Sequence, residues 1–185
     1  MSRPLRPLVA DATYNVSVKG VADTVIVRGD SDRRCWLALL ATVTLRLGWR
    51  LHEYCLMDTH FHLLLRTPEP NLSAGMQRLN GGYAQLFNRR HRREGHLFSG
   101  RFFSRIIEDE RHRIELHRYI ARNPVRAGMC TDPAAYRWSS HAALIGRVKA
   151  PPFLAVDEVL RLFGRTRAAA RRALREFVAA EPRGP

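Results

Sequence analysis

The sequence predicts an α+β chain in which a strand, a helix, a β-hairpin and a second helix follow one another. Three observations carry this prediction. Residues 13–19 alternate, with Tyr14, Val16 and Val18 on one side and Asn15, Ser17 and Lys19 on the other, which is the period of a half-buried strand. Two strand-like runs, 49–57 and 59–66, are separated closely enough at Asp58 and Thr59 to form a hairpin. The stretches after Asp30 and Asn71 carry apolar residues at steps of three and four, the spacing of one helix face.

Taken in order, residues 1–12 read as a flexible leader with two prolines, and Gly20 ends the first strand. The β-branched run Val25, Ile26 and Val27 predicts a short second strand. Asp30, Ser31 or Asp32 caps a helix that runs to Leu47, with Trp36, Leu37, Leu40, Val43 and Leu47 as its apolar stripe and Gly48 as its stop. After the hairpin, Asn71 is the expected N-cap of a helix reaching Arg90, with Leu72, Met76, Leu79, Tyr83 and Phe87 facing inward. Gly81 and Gly82 weaken that helix by about 1 kcal/mol each relative to Ala, so close packing or a bend is expected there. Residues 91–100 read as a loop and 101–107 as a strand. A further helix spans 109–122 and stops at Asn123-Pro124, because a residue before Pro is pushed away from helical angles. Pro151-Pro152 marks a hinge, beyond which lie a short helix at 157–163 and an arginine-rich one at 166–179.

The chain has 185 residues, 45% of them hydrophobic, and a formal net charge of +14. Those values fit one globular domain and exclude an acidic disordered tail or a collagen-like chain. Basicity of this size points to nucleic acid first and to an anionic membrane second. Lys19 and Lys149 are the only lysines; every other basic residue is Arg, whose rigid fork suits phosphate oxygens, although a GC-rich coding bias also favours Arg. Cys35, Cys55 and Cys130 are odd in number and widely spaced, which fits neither a disulfide framework nor a zinc knuckle. No signal peptide or membrane-length apolar run is visible, so the expected location is cytoplasmic and nucleoid-associated.

Four groups of residues carry chemistry. His60 and His62 are two apart on a strand, so both imidazoles leave the same side, about 7 Å apart at the backbone, and can converge on one divalent metal. Tyr119 and Asn123 are four apart on a helix and therefore neighbours, a phenol beside a carboxamide. Arg78, Arg89, Arg90, Arg92, Arg93, Arg101 and Arg105 are interleaved with Tyr83, Phe87, His91, His96, Phe98, Phe102 and Phe103. Positive charge tracks a phosphate backbone and aromatic faces stack on unpaired bases. Finally, Arg165, Arg167, Arg171, Arg172 and Arg175 make a basic helix face that suits phosphate, a membrane or a partner.

Four separated motifs then appear in series: Tyr54-Cys-Leu-Met-Asp-Thr-His60-Phe-His62-Leu-Leu-Leu; Asn88-Arg-Arg with Gly95-His-Leu-Phe-Ser-Gly-Arg101-Phe; Arg118-Tyr119-Ile-Ala-Arg-Asn123-Pro-Val-Arg-Ala-Gly128; and Tyr136-Arg-Trp-Ser-Ser140. In order and spacing the series resembles the single-tyrosine HUH transposases, especially the REP-associated tyrosine transposase branch. The likeness covers about residues 13–145, and the segment 151–182 looks like the basic helical extension of that branch. The resemblance implies a ferredoxin-like antiparallel sheet with helices packed on it and a C-terminal helical extension. It implies that His60, His62 and Asn123 hold Mg²⁺ or Mn²⁺, and that Tyr119 is the nucleophile. It further implies cleavage and rejoining of single-stranded or hairpin-flanked DNA through a 5′-phosphotyrosine. Where the family usually has Pro-Asn before the first histidine, this chain has Asp58-Thr59, and Asp58 either adds a ligand or repels the scissile phosphate.

The expected contacts to the DNA backbone come from Arg89, Arg90, Arg92, Arg93, Arg101, Arg105, Arg171 and Arg172. Tyr83, on a helix near the basic loop, is the rival nucleophile. The alternative function is a domesticated, catalytically weak protein that holds a DNA or RNA hairpin. No membrane partner is expected, and both a monomer and a homodimer remain open.

Overall fold

In the computed structural model, which describes residues 9–180, the first half of the chain runs through β1 (Ala12–Lys19), α1 (Asp30–Arg46), β2 (Arg50–Leu56), β3 (His60–Thr67), α2 (Leu72–His91) and β4 (Phe103–Ile106). The four strands form one antiparallel sheet in the order β2-β3-β1-β4, the ferredoxin-like arrangement. The chain continues through α3 (Glu110–Ala121), α4 (Asn123–Arg126), α5 (His141–Leu144), α6 (Val156–Leu160) and α7 (Arg167–Ala179).

Strand register sorts the sheet into two unlike faces. Val16 pairs with Leu63 and Val18 with Phe61, and these residues are buried under α1 and α2 around Trp36, Leu40, Met76 and Leu79. The other face carries Cys55, His62, Ser17 and Phe103 in one row and Glu53, Leu64, Asn15 and Arg105 in the next. Lys19 pairs with His60 at the end of this face. Helix α3 packs on the β2–β3 half. Over β1 and β4 the face is more open: Lys19, Phe103 and Arg105 are exposed, and Asn15 and Ser17 are half-buried.

Several local expectations are corrected. Val25–Val27 forms no strand. Ile26 and Val27 are buried, but the backbone of Ile26 donates to the Asp58 carbonyl at 2.7 Å and accepts from the Tyr83 hydroxyl at 2.6 Å, so loop and side-chain partners replace a ladder. Helix α1 starts from Gly29 without a side-chain cap. Asp32 lies inside its first turn and accepts from the Arg28 N–H at 2.8 Å, from Arg90 at 2.7 Å and from His91 at 2.8 Å. Burial opposes its charge, but these partners outweigh burial and hold the carboxyl below its ordinary value. Asn71 occupies the N-cap position, yet its side chain serves the preceding turn, accepting from the Trp49 indole at 2.7 Å and donating to the Leu47 carbonyl at 3.2 Å.

Gly81 would meet nothing within 4 Å and Gly82 only Leu39 at 3.8 Å, so neither sits in close packing. The near approach is at Gly75, where a Cβ would lie 2.1 Å from the Trp49 ring. At the end of α3 the chain does not leave helical space. Arg122 keeps φ −86° and ψ −2°, and Pro124 enters the first turn of α4, where its missing N–H has no cost.

Of the leader, residues 1–8 lie outside the described residues. Val9 and Asp11 are tied to the sheet: the Tyr14 hydroxyl accepts from the Val9 N–H at 3.0 Å, and Asp11 pairs with Arg66 at 2.9 Å. After Pro151-Pro152, the Ala155 N–H donates to the Leu51 carbonyl at 2.8 Å, and Ala170, Leu174 and Val178 of α7 are buried. Residues 181–182 of the extension lie outside the described residues.

Candidate active site

His60 and His62 leave β3 on the open-faced side of the sheet, with ring centroids 5.1 Å apart and planes nearly perpendicular. Helix α3 brings Tyr119 edge-on to His62 at 5.5 Å between centroids. The Asn123 carboxamide sits between the two elements. Its Nδ2 donates to the Tyr119 carbonyl at 2.8 Å, and the amide lies near enough to His60 to favour the protonated ring. Thr59 Oγ1 lies 3.2 Å from His60 Nδ1, which orients that ring and leaves its other nitrogen for the site. Tyr119 is 40% exposed, and the Arg126 guanidinium lies 4.9 Å from its ring. The four residues predicted from sequence are thus brought together. Arg126, seven residues after Tyr119, was missed; only the continuation of helical geometry through Pro124 brings it onto the tyrosine face.

The electrostatics suit a cation site. Burial pushes His62 down to about 4, with His60 and Lys19 adding to the effect. Burial and then Lys19 also lower His60, while the nearby Asn123 amide acts the other way. Both rings are therefore neutral at neutral pH, and neutral imidazole is the metal-binding form. His62 Nδ1 is shielded from solvent without a hydrogen-bond partner, a nitrogen that a metal ion would satisfy. Two imidazoles and an amide oxygen are a fitting donor set. Among the described residues no group of three or more His, Cys, Asp or Glu is placed to hold a metal.

Asp58 is engaged elsewhere. It accepts from Arg33, whose guanidinium also lies 5.5 Å from the Trp138 ring. Tyr83 is 1% exposed, its hydroxyl donates to the Ile26 carbonyl, and burial pushes its ionisation far up, so it is no accessible nucleophile.

The predicted arginines divide by role. Arg90 pairs with Asp32, and Arg93 bonds the Gly95 and His96 carbonyls and Asn88, which shapes the 92–97 turn. Arg89, Arg92, Arg101 and Arg105 are exposed and have no ion-pair partner among the described residues. Arg171 packs on Gly146, and Arg172 is exposed on α7; neither contacts the histidines or Tyr119. Phe103, 58% exposed, stands in the same sheet row as His62 with Ser17 between them.

Behind the site, the fully buried His117 of α3 is hydrogen-bonded through Nδ1 to Glu53 of β2. Burial pushes Glu53 well up and His117 down, so the pair is neutral, with the proton on the carboxyl. On the outer side of α3, the Arg118 guanidinium stacks 3.8 Å from the Phe177 ring and donates to the Phe177 carbonyl at 3.0 Å. Arg122 donates to the carbonyls of Val178 and Ala179, both at 3.1 Å. The last carbonyls of α7 are thereby capped by the helix that carries Tyr119.

Comparison with known proteins bears on the fold and the family. A REP-associated tyrosine transposase, whose structure was determined bound to a REP hairpin, superposes with a TM-score of 0.67 at 15% identity over 83% of this chain and 90% of its own. A transposase-like protein from Deinococcus radiodurans R1 aligns at 20% identity over 64% of this chain and 95% of its own, with a TM-score of 0.43. No curated protein sequence matches. No described helix is long and apolar enough to cross a membrane. The sequence profile of the IS200-like transposases matches residues 24–123, more than half of the chain, and the protein belongs to that family.

Proposed function

We propose that the protein cuts and rejoins single-stranded or hairpin-flanked DNA, with Tyr119 as nucleophile and His60, His62 and Asn123 as the holders of Mg²⁺ or Mn²⁺. The observation that carries this reading is the contact set that joins Tyr119 to both histidines, edge-on to His62 and through Asn123 to His60. Family membership supports DNA strand transfer as the reaction class. The hairpin bound by the structurally similar REP-associated transposase supports hairpin-flanked DNA as substrate.

The Tyr119 oxygen attacks phosphorus and forms a P–O bond as the bond from phosphorus to the 3′ oxygen breaks. The 5′ side is left as a phosphotyrosine, and the released 3′ oxygen takes up one proton as the phenol gives one up. The bound metal supplies Lewis-acid polarisation of the phosphate oxygens. The Arg126 guanidinium, 4.9 Å from the Tyr119 ring, places positive charge near the attacking phenol, where the anionic phosphate has to approach. Rejoining reverses the step on a second 3′-hydroxyl, so no nucleotide energy is consumed. The strand follows the open sheet face past Phe103 and Arg105, with Arg89, Arg92 and Arg101 on its backbone, and Arg172 extends the basic surface.

The test is covalent trapping. Labelled hairpin oligonucleotides from the flanks of the gene are incubated with protein and Mg²⁺ or Mn²⁺ and run on a denaturing gel. A metal-dependent adduct that persists in Tyr83→Phe and disappears in Tyr119→Phe and His60→Ala is expected. Tight binding without an adduct would overturn the enzymatic reading in favour of a hairpin-binding protein.

A further inference from the structure

A pocket of about 310 Å³ opens between the start of α3, the end of β3 and α6. Its polar lining is His52, Arg66, Arg113, Glu158 and Arg161, and the rest is apolar. The volume stands at the lower end of the roughly 300–1,000 Å³ of small-ligand sites. The pocket shares no residue with the candidate active site. Arg66 lies four residues beyond His62 on β3, about 13 Å at strand spacing. Arg113 lies six residues before Tyr119 on α3, about 9 Å along the helix axis.

The positive charge in this pocket is not answered within it. Glu158 is its one carboxylate, and both of its oxygens are engaged. Oε1 accepts from Arg50 Nε at 2.7 Å and lies 3.6 Å from Arg66, and Oε2 lies 2.8 Å from His52 Nε2. Burial opposes the charge of Glu158, but His52 and Arg50 outweigh burial and hold the carboxyl below its ordinary value. Glu158 is thus matched by Arg50, which lies outside the pocket. Arg66 and Arg113 otherwise pair with Asp11 at 2.9 Å and Glu110 at 3.2 Å, two largely exposed acids that neutralise them weakly. Arg161 has no ion-pair partner among the described residues, and its Nε donates to the Asp157 carbonyl at 3.1 Å. Arg66 and Arg113 each keep an Nε that is shielded from solvent and has no acceptor. Those nitrogens are closed to a ligand. They leave part of each guanidinium dehydrated and unpaired, so an anion at the accessible terminal nitrogens meets charge that the fold has left under-compensated.

We infer that this pocket binds a terminal phosphate group, with Arg66, Arg113 and Arg161 as its cationic partners. Guanidinium forks match phosphate oxygens in pairs, and three of them reach the pocket from β3, from α3 and from the residue after α6. The lining has no Phe, Tyr or Trp on which a base could stack, so it suits a compact oxyanion rather than a length of single strand. Two sources carry that group, a small phosphomonoester and the phosphorylated 5′ end of a DNA strand. Neither depends on the roles proposed for Tyr119 and the histidines.

The experiment follows the melting temperature of the full chain against the concentration of inorganic phosphate or glycerol 3-phosphate, with sodium chloride at equal ionic strength as reference. A saturable rise beyond the chloride reference is expected for both probes. Arg161→Gln and Arg113→Gln should each weaken the apparent affinity about tenfold, the scale of one lost charge-assisted contact. Arg111→Gln removes the same charge from an exposed position on α3 outside the pocket and should bind as the parent does. Arg161 is exposed, so its variant keeps the comparison valid even where Arg113→Gln unfolds early. Equal shifts in the parent and Arg161→Gln, or a rise no larger than that in chloride, would overturn the inference. Competition without added metal then separates the two sources. Displacement of phosphate by a single strand with a 5′-phosphate, and not by its 5′-hydroxyl counterpart, marks a strand end; displacement by neither marks a small molecule. Displacement by both would make the pocket a backbone contact and overturn the assignment of a terminal phosphate.

Discussion

Asn123 donates through Nδ2 to the carbonyl of Tyr119, four residues earlier, at 2.8 Å. That bond fixes which end of the amide faces the helix and leaves its oxygen free of it, near His60. One side chain therefore links the tyrosine helix to the histidine strand, which is the place of the third donor in the proposed metal site. Asn123→Ala should raise the Mn²⁺ concentration needed for half-maximal adduct by tenfold or more, in the range for lost metal-site support. An unchanged metal titration would remove Asn123 from the ligand set.

Asp58 predicts a different outcome. Its carboxylate is engaged by Arg33, which is largely shielded and packed on Trp138. Asp58→Ala should lower stability by about 1 kcal/mol, the scale of a partly exposed pair, and leave the metal requirement unaltered. Thermal melting and metal titration of the same variant separate the two roles, and a changed metal requirement would make Asp58 a ligand.

Phe103 and Arg105 act on binding in distinguishable ways. Phe103→Ala should weaken single-strand binding by about 1–3 kcal/mol, the worth of one stacked base, with unchanged melting because the ring is largely exposed. Arg105→Ala should reduce the dependence of log affinity on log salt by about 0.7, as expected for one lost phosphate contact on a single strand. A Phe103→Ala variant with the affinity of the parent would move the strand off this half of the sheet.

Acid should destabilise the fold. His52, His62 and His141 are each pushed from an ordinary value of 6.5 to about 4 by burial. Between those values the unfolded chain binds protons that the folded chain refuses, so stability rises with pH. It is fully present above about 6.5 and is lost as pH falls toward about 4. The melting temperature should drop steeply across that interval, and a flat profile would contradict the burial assigned to these rings.

The Glu53–His117 pair contributes a second pH dependence. Folded, it holds one proton on the carboxyl. Between the ordinary values of 4.5 and 6.5 the unfolded groups also hold one, on the imidazole, so the pair adds no slope there. Below that interval the unfolded chain gains a proton, and above it loses one, so the contribution of the pair falls on both sides. Comparing Glu53→Gln, which keeps the buried His117, with the parent from pH 4 to pH 9 should show the melting temperature of the parent relative to the variant highest at the acid end, near the ordinary carboxyl value of 4.5, and falling as pH rises. A difference independent of pH would mean that the proton does not reside on Glu53.

The features legible in sequence were those with a local cause. The alternation around Tyr14, Val16 and Val18, the His60 and His62 pair, and the spacing from Tyr119 to Asn123 each depend only on strand or helix period. What escaped depends on partners far away in sequence. Ile26 and Val27 look like strand residues, yet their backbone is met by Asp58 and Tyr83 rather than by a neighbouring strand. Asn71 has the identity of a cap, but Trp49 competes for its oxygen. Asp58 stood open between ligand and repellent until Arg33, 25 residues away, claimed it. Phe103 counted as one aromatic among several, and only the strand register sets it in a row with His62.

The helix that presents Tyr119 is gripped from behind by α7, through contacts that link Arg118 to Phe177, 59 residues further along. Synthesis runs in the opposite order to this dependence. The histidines, the tyrosine and the amide have all left the ribosome before α7 exists to hold their frame. A growing chain therefore carries every reactive group of the site well before it can hold them in register, and the clamp closes only after α7 has been made.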